Sequence, residues 1–119
     1  MYKLIFSILA LTILASSACA AEAKTLVIVY SRADENYNVG YIEKGNTMIL
    51  AEMIADKTGA ELFEVKPSKP YPAAYDECID VAKKEQNQKA RPAILEDKDI
   101  SEYDTIFIGL TTDRDNLYN

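Results

Sequence analysis

The sequence predicts an α/β fold with a parallel sheet, and three neighbouring segments support this prediction. Thr25–Tyr30 is a continuous apolar run rich in β-branched residues, which is typical of a strand covered on both faces. Gly45–Thr58 has the apolar spacing of an amphipathic helix, and Gly59 follows as its stop. Glu61–Val65 reads as a second short strand. A strand–helix–strand unit of this length implies a right-handed parallel crossover.

The second half of the chain continues the alternation of helices and strands. A proline-broken loop over Lys66–Pro72 leads into a predicted helix over Ala73–Asn87, whose acidic residues come early and whose basic residues come late. Tyr103–Gly109 is a third apolar segment of the buried-strand type. The predicted architecture therefore has three strands and two helices.

Composition narrows the classes of function. The 119 residues suffice for one domain, and the net charge of −6 disfavours nucleic acid and anionic membrane surfaces as partners. The sequence contains no histidine, which excludes histidine-based acid–base catalysis and histidine-containing zinc sites. We assign no catalytic residue and no metal ligand.

The first 20 residues are predicted to be a signal peptide. Lys3 provides a basic start, Leu4–Ala15 is an apolar stretch of 12 residues that is too short to span a bilayer, and Ala18–Ala20 fits a cleavage site. The alternative is that Cys19 becomes a lipidated first residue. Under either interpretation the protein is exported, to the periplasm or the medium, and it meets a membrane only if Cys19 is lipidated.

A corner between the first strand and the first helix is the best candidate site. Ser31 ends the strand, and the helix begins at Gly45-Asn46-Thr47. A helix N-terminus has unpaired amide groups and the positive end of the helix dipole, so it suits an anion such as phosphate. The alternative is that Asn46 only caps the helix and Gly45 only turns the chain.

These segments together resemble the flavodoxin-like family. The family pattern is a strand, then Ser-x-Thr-Gly-Asn-Thr, then a helix, and the matching segments here are Leu26–Ser31, Gly45–Thr47 and Tyr103–Gly109. An insert, Arg32–Lys44, separates the serine from the rest of the motif. This is similar to a subgroup of exported bacterial flavodoxin-like proteins with a lengthened first loop, and the resemblance spans roughly Lys24 to Gly109.

The resemblance implies a three-layer αβα fold with strand order 2-1-3-4-5 and FMN at the switch point between strands 1 and 3. Carried over by position, Ser31, Asn46 and Thr47 would bind the 5′-phosphate, and Gly45 would let the backbone approach it. Within the insert, Arg32 is the best candidate to neutralise the phosphate because it directly follows the strand. We interpret most of the remaining insert as a solvated surface loop.

The chain departs from the family after the third strand. The aromatic stretch with tryptophans that packs on the flavin ring is missing, and the sequence contains no tryptophan. Strands 4 and 5 are also missing, so we expect a C-terminally truncated member. Residues 21–110 would form a partial domain of strand order 2-1-3, with 111–119 as an irregular tail. The third strand would then be an exposed apolar edge.

Three functional hypotheses follow from these observations. The first is an FMN-binding protein that transfers electrons or reduces a small acceptor, with a redox partner that the sequence does not identify. The alternative is a non-enzymatic fragment that no longer holds flavin. A different phosphate binder on a Rossmann-like unit is weakened, because the sequence has neither G-x-G-x-x-G nor a Walker motif.

Overall fold

A computed structural model of the chain describes residues 22–110. The predicted signal peptide (1–20) and the predicted tail (111–119) lie outside the described residues. The described elements, in chain order, are β1 (Thr25–Tyr30), β2 (Asp34–Asn36), β3 (Gly40–Ile42), α1 (Asn46–Thr58), β4 (Glu61–Glu64), α2 (Tyr75–Asn87) and β5 (Thr105–Leu110).

β1 is the central strand of a three-stranded parallel sheet with the order β4-β1-β5. It pairs with β5 along its whole length, from Thr25 opposite Thr105 to Tyr30 opposite Leu110, and with β4 on its other side. Taking β1, β4 and β5 as strands 1, 2 and 3, this is the predicted order 2-1-3. The predicted α/β fold class is therefore confirmed.

The core lies between β1 and α1. Val27 and Val29 of β1 are at most 1% exposed, and they pack with Met48 and Ala51 on one side of the helix. Leu26, on the opposite face of β1, is also fully buried. Burying an aliphatic side chain of this size stabilises a fold by roughly 1.5–3 kcal/mol. This packing fixes the N-terminus of α1 relative to the end of β1.

Helix α1 begins and ends close to the predicted positions. Gly45 occupies the N-cap position and the helix runs from Asn46 to Thr58. Gly59 adopts a left-handed conformation with φ 67°, and its amide bonds back to the carbonyl of Ala55. Glycine suits this position because it has no Cβ to clash in the left-handed region.

Helix α2 packs less tightly than α1. Its acidic residues Asp76 and Glu77 lie in the first turn and Lys84 lies in the last turn, as the sequence predicted. None of its residues is buried, and within the described part of the chain it contacts β2 rather than a strand of the main sheet. The second helical layer is therefore much thinner than the first.

We interpreted most of the insert as a solvated surface loop; none of its residues is buried, but β2 and β3 pair within it as an antiparallel hairpin that the sequence did not predict. The turn is closed by the amide of Val39, which donates to the carbonyl of Asn36 at 3.2 Å. Asn38 and Gly40 have φ values of 55° and 82°. Asparagine and glycine are the residues that tolerate positive φ, so the turn chemistry agrees with the sequence.

The segment before β5 is bonded to the loop that follows β4 and to the first residue of β4. Amides of Ser68 and Leu95 donate at 2.8 Å to the carbonyls of Ala93 and Lys66, respectively. At the start of β4, the exposed carboxylate of Glu61 accepts hydrogen bonds from Lys98 and from the phenol of Tyr103. These contacts tie the polar segment of residues 93–103 to the sheet.

We predict that the Glu61 contacts make stability depend on pH in the acid range. The hydrogen bond from Lys98, and then that from Tyr103, lowers the pKa of Glu61 below its ordinary value. A carboxyl with a lowered folded-state pKa stabilises the fold fully above its unfolded pKa, and the contribution disappears as pH falls through the folded pKa. Melting curves between pH 7 and pH 3 should show this loss, and E61Q should show a smaller one. Equal acid sensitivity in both proteins would contradict the assignment.

Candidate functional site

The candidate site is built where β1 ends and α1 begins. Ser31 follows the last residue of β1, and its hydroxyl oxygen accepts a hydrogen bond from the amide of Met48 at 3.0 Å. Met48 is the third residue of α1, so a side chain 17 positions earlier caps the helix. Ser31 and the helix N-terminus therefore lie together, as the sequence predicted for a phosphate corner.

Gly45 is buried at this corner. Its neighbours leave no room for a side chain. A Cβ at Gly45 would collide with the Ser31 hydroxyl and the Arg32 carbonyl oxygen, and it would lie 2.8 Å from the Arg32 carbonyl carbon. Its φ of −64° is open to any residue, so close packing and not backbone conformation requires glycine. The two ends of the insert (Arg32–Lys44) therefore lie next to each other at this contact.

Thr47 brings the end of β5 to the same corner. A Cβ at Gly109 would lie 3.5 Å from Cγ2 of Thr47 and 3.5 Å from Cγ2 of Val29. Asn46, the first residue of α1, is exposed. The carboxyl ends of β1 and β5 and the N-terminus of α1 thus meet at one point, which is where open α/β sheets bind ligands.

The corner combines a helix N-terminus with nearby carboxylates, since Glu43, Glu52 and Glu64 line the same hollow as Ser31 and Gly45. The first turn of α1 contains no acidic residue. The ammonium group of Lys44 is bonded to both carboxylate oxygens of Glu52, at 2.7 and 2.9 Å. The alternative that Asn46 caps the helix was wrong, since Gly45 is the N-cap residue and the side-chain cap comes from Ser31.

Arg32 contacts main-chain carbonyl groups. Its guanidinium donates to the carbonyl oxygens of Pro72 at 3.0 Å, Ala73 at 2.8 Å and Glu35 at 3.3 Å. These acceptors lie in the hairpin and in the loop before α2. The structure thus places Arg32 next to the corner in sequence, but its guanidinium holds two segments of backbone together.

Further contacts complete the attachment of the hairpin to α2. A carboxylate oxygen of Glu35 accepts from the amide of Tyr75 at 2.9 Å, at the first residue of α2. The rings of Tyr37 and Tyr75 pack with centroids 5.8 Å apart. Sequence reasoning missed this attachment, although Glu35 has the charge that a helix N-terminus prefers.

A cavity of about 400 Å³ lies beside the corner, between the carboxyl ends of β1 and β4. Tyr30, Tyr71 and Leu95 line it, and Ser31 and Arg32 belong to its wall. The phenol of Tyr71 donates to Glu85 at 2.5 Å, and this bond raises the pKa of Tyr71. The cavity was not predicted from the sequence because its walls come from segments far apart in the chain.

Within residues 22–110, the Cys78 thiol and the carboxylates form neither a reactive thiolate nor a metal site. Burial raises the pKa of the Cys78 thiol, which keeps it protonated at neutral pH and poorly nucleophilic. Among residues 22–110, no group of histidine, cysteine and carboxylate side chains is arranged to hold a metal ion. No helix in that range is long and apolar enough to cross a membrane.

We predict that Gly45→Ala destabilises the fold. The added methyl group has to displace the Arg32 backbone or the Ser31 hydroxyl, and overpacking of this kind typically costs about 1–3 kcal/mol. Urea unfolding measures the change. Gly59→Asn is the control, because asparagine tolerates the left-handed conformation there and should cost less than about 1 kcal/mol. A Gly45→Ala protein as stable as the wild type would contradict the packing described here.

We also predict that Arg32→Ala loosens the hairpin from α2. Loss of its charged hydrogen bonds to carbonyl groups should cost roughly 1–3 kcal/mol, and the amides of Glu35 and Tyr75 should exchange faster with solvent. Arg32→Lys should not restore them, because one ammonium group does not reproduce the guanidinium fork. Arg91→Ala is the matched control, since the Arg91 guanidinium is exposed and donates to the carbonyl of its neighbour Ala90. Unchanged exchange in Arg32→Ala would refute this role.

Comparison with known proteins agrees with this geometry. The family model described as Flavodoxin matches residues 36–113, which is 78 of the 119 residues. The matched range includes Gly45–Thr47 and β5, whereas β1, Ser31 and Arg32 precede it. No curated protein matches the sequence. Since the match covers well over half of the chain and the sheet order agrees with it, this chain belongs to the flavodoxin family.

Proposed function

We propose that the protein binds FMN, with the phosphate at the corner between β1 and α1. The observation that supports this most directly is the bond from the Met48 amide to the Ser31 hydroxyl, beside Thr47 and Gly109. It puts a helix N-terminus between the carboxyl ends of strands 1 and 3. This is the switch point at which flavodoxin-like sheets take FMN.

The residues at the corner fit a phosphate by their chemistry. They include the hydroxyl groups of Ser31 and Thr47 and the amide groups of Asn46 and Thr47, while the Met48 amide is bonded to the Ser31 hydroxyl. That turn contains no carboxylate that would repel an anion. The buried Gly45 has no side chain, so the start of α1 packs directly against Ser31 and the Arg32 carbonyl and the serine hydroxyl lies at the helix N-terminus.

Each residue then has a distinct role in the proposal. Ser31 and Thr47 would donate their hydroxyl hydrogens to phosphate oxygens, and the amides of Asn46 and Thr47 would donate along the helix dipole. Arg32, also assigned to the phosphate from the sequence, would act mainly by holding the insert in place, since its contacts are with carbonyl groups. Bound FMN would supply one- or two-electron chemistry.

An exported electron carrier or flavin-dependent reductase is the function that we propose. Export rests on the predicted signal peptide alone. The alternative, a chain that keeps the fold but holds no flavin, is favoured by the exposed apolar residues of β5, where Ile108 and Leu110 are 67% and 62% exposed. Affinity for FMN distinguishes the proposed flavoprotein from the alternative that holds no flavin.

We predict that FMN fluorescence is quenched on titration with the full chain, and that Ser31→Ala weakens FMN binding about tenfold or more. A hydrogen bond to a charged group is worth roughly 1.5–3 kcal/mol, and 1.4 kcal/mol corresponds to a factor of ten. Riboflavin lacks the phosphate, so its affinity should change little in the same variant. Ser68→Ala, an exposed hydroxyl on the rim of the neighbouring cavity, is the control.

Two outcomes would reject this proposal. Flavin fluorescence that stays unquenched at high protein concentration would support the alternative without flavin. Equal losses of FMN and riboflavin affinity in Ser31→Ala would show that the hydroxyl acts on the fold and not on the phosphate. Circular dichroism of each variant shows whether it is folded during the titration.

A further inference from the structure

A hollow of about 390 Å³ lies beside the start of α1, and its wall has more acidic than basic residues. It contains Ser31, Gly45 and Met48 of the corner, together with the charged residues Glu43, Lys44, Glu52 and Glu64. Among the described residues that line it, Lys44 is the only basic one. A phosphate bound at the corner would therefore lie near carboxylates as well as near the helix N-terminus.

The phosphate of FMN needs a positive partner in this setting. A phosphate monoester carries about −1.5 to −2 charges at pH 7. The N-terminus of a helix offers only about half a positive charge. A lysine or arginine side chain would supply the remaining attraction. Two such residues stand at the ends of the insert, namely Arg32 and Lys44.

Arg32 is poorly placed to pair with the phosphate. Its guanidinium donates to the carbonyl oxygens of Pro72 at 3.0 Å, Ala73 at 2.8 Å and Glu35 at 3.3 Å. Turning toward the corner would break these bonds, which hold the hairpin to the loop before α2. The same side chain cannot serve both purposes without loosening the insert.

Lys44 is held much less firmly. It directly precedes Gly45, the N-cap residue of α1, so its side chain starts at the corner. Its ammonium group is bonded to the carboxylate of Glu52, and the two side chains are 53% and 40% exposed. Exposed ion pairs of this kind contribute little to stability, and a lysine ammonium group on its flexible stem changes partners easily.

Glu52 holds this ammonium group away from the first turn of the helix. Glu52 is the seventh residue of α1, which places it about 9 Å along the helix axis from Asn46. The amides that would bind the phosphate belong to Asn46 and Thr47, at the other end of that distance. Glu52 and a bound phosphate would therefore compete for the same ammonium group.

We propose that Lys44 exchanges the carboxylate of Glu52 for the phosphate when FMN binds, an inference that rests on the proposed FMN site. The pair of Lys44 and Glu52 then sets the preference of the site for FMN over riboflavin. Lys44 strengthens binding of the phosphorylated flavin, whereas Glu52 weakens it by holding Lys44 and by its own negative charge. Riboflavin has no phosphate, so neither side chain changes its affinity.

Fluorescence titration of the full chain with FMN and with riboflavin, at low ionic strength, tests this role. Lys44→Gln should weaken FMN binding roughly three- to tenfold, and Glu52→Gln should strengthen it about threefold, with riboflavin affinity unchanged in both variants. Added salt should reduce both effects, because the charges are exposed. In the double variant, Glu52→Gln should strengthen binding less, because no lysine is left to be released.

Lys57→Gln is the matched control, since it removes the same charge from the last turn of α1, at the end of the helix far from the corner. It should bind FMN like the wild type. FMN affinity that Lys44→Gln leaves unchanged would overturn the inference, as would a loss that Lys57→Gln or riboflavin shares. Glu52→Gln binding FMN no better than the wild type would also overturn it.

The same titration separates this inference from the proposed function. A wild-type chain that does not quench FMN at all would reject the FMN site and the role of Lys44 with it. FMN binding that is independent of Lys44 and Glu52 would reject only the exchange proposed here. Circular dichroism of each variant shows whether it is folded during the titration.

Discussion

The pairing of β1 with strands on both sides is the constraint on which the rest of the structure depends. β1 is the one described strand that is bonded along two edges, and its residues Leu26, Val27 and Val29 are completely or almost completely buried. Once this strand is fixed, Ser31 has to emerge at the carboxyl edge of the sheet. The packing of Met48 and Ala51 on Val27 and Val29 then holds the N-terminus of α1 within hydrogen-bonding distance of that serine.

The two ends of the sheet differ in the contacts that their residues make. At the amino end, Lys24, Glu102, Glu61 and Lys98 form exposed ion pairs, which contribute little to stability individually but join β1 and β4 to the segment before β5. At the carboxyl end, the first turn of α1 has no carboxylate, although the chain as a whole is acidic. The positive end of the α1 dipole therefore lies beside the carboxylates of Glu43, Glu52 and Glu64.

The elements that the sequence predicted well are those with a strong local pattern. β1 is continuous apolar sequence between polar flanks, and its bounds agree with the prediction; α1 has helical spacing and a glycine stop. The hairpin was missed because its strands are three residues each and β2 is entirely polar, so no alternation stands out. Asn38 and Gly40 were the available signal, since both are turn residues with positive φ.

Only the part of the site that is formed by the end of β1 and the start of α1 could be predicted from the sequence. The proximity of Ser31 to Gly45 follows from that unit, and the structure shows it. The carbonyl partners of Arg32 lie 40 and 41 positions away in a loop, and no periodicity predicts such contacts. Sequence reasoning therefore brought Ser31 and Gly45 together but did not predict the carbonyl contacts of Arg32, whose assignment to the phosphate stays a prediction.

The most direct test of the central claim is amide NMR of the full chain during titration with FMN. If the phosphate binds at the β1–α1 corner, the largest shifts should occur at Ser31 and at Gly45, Asn46, Thr47 and Met48, and inorganic phosphate should produce smaller shifts at the same amides. Shifts confined to the cavity around Tyr71 and Leu95, or none at the start of α1, would contradict it.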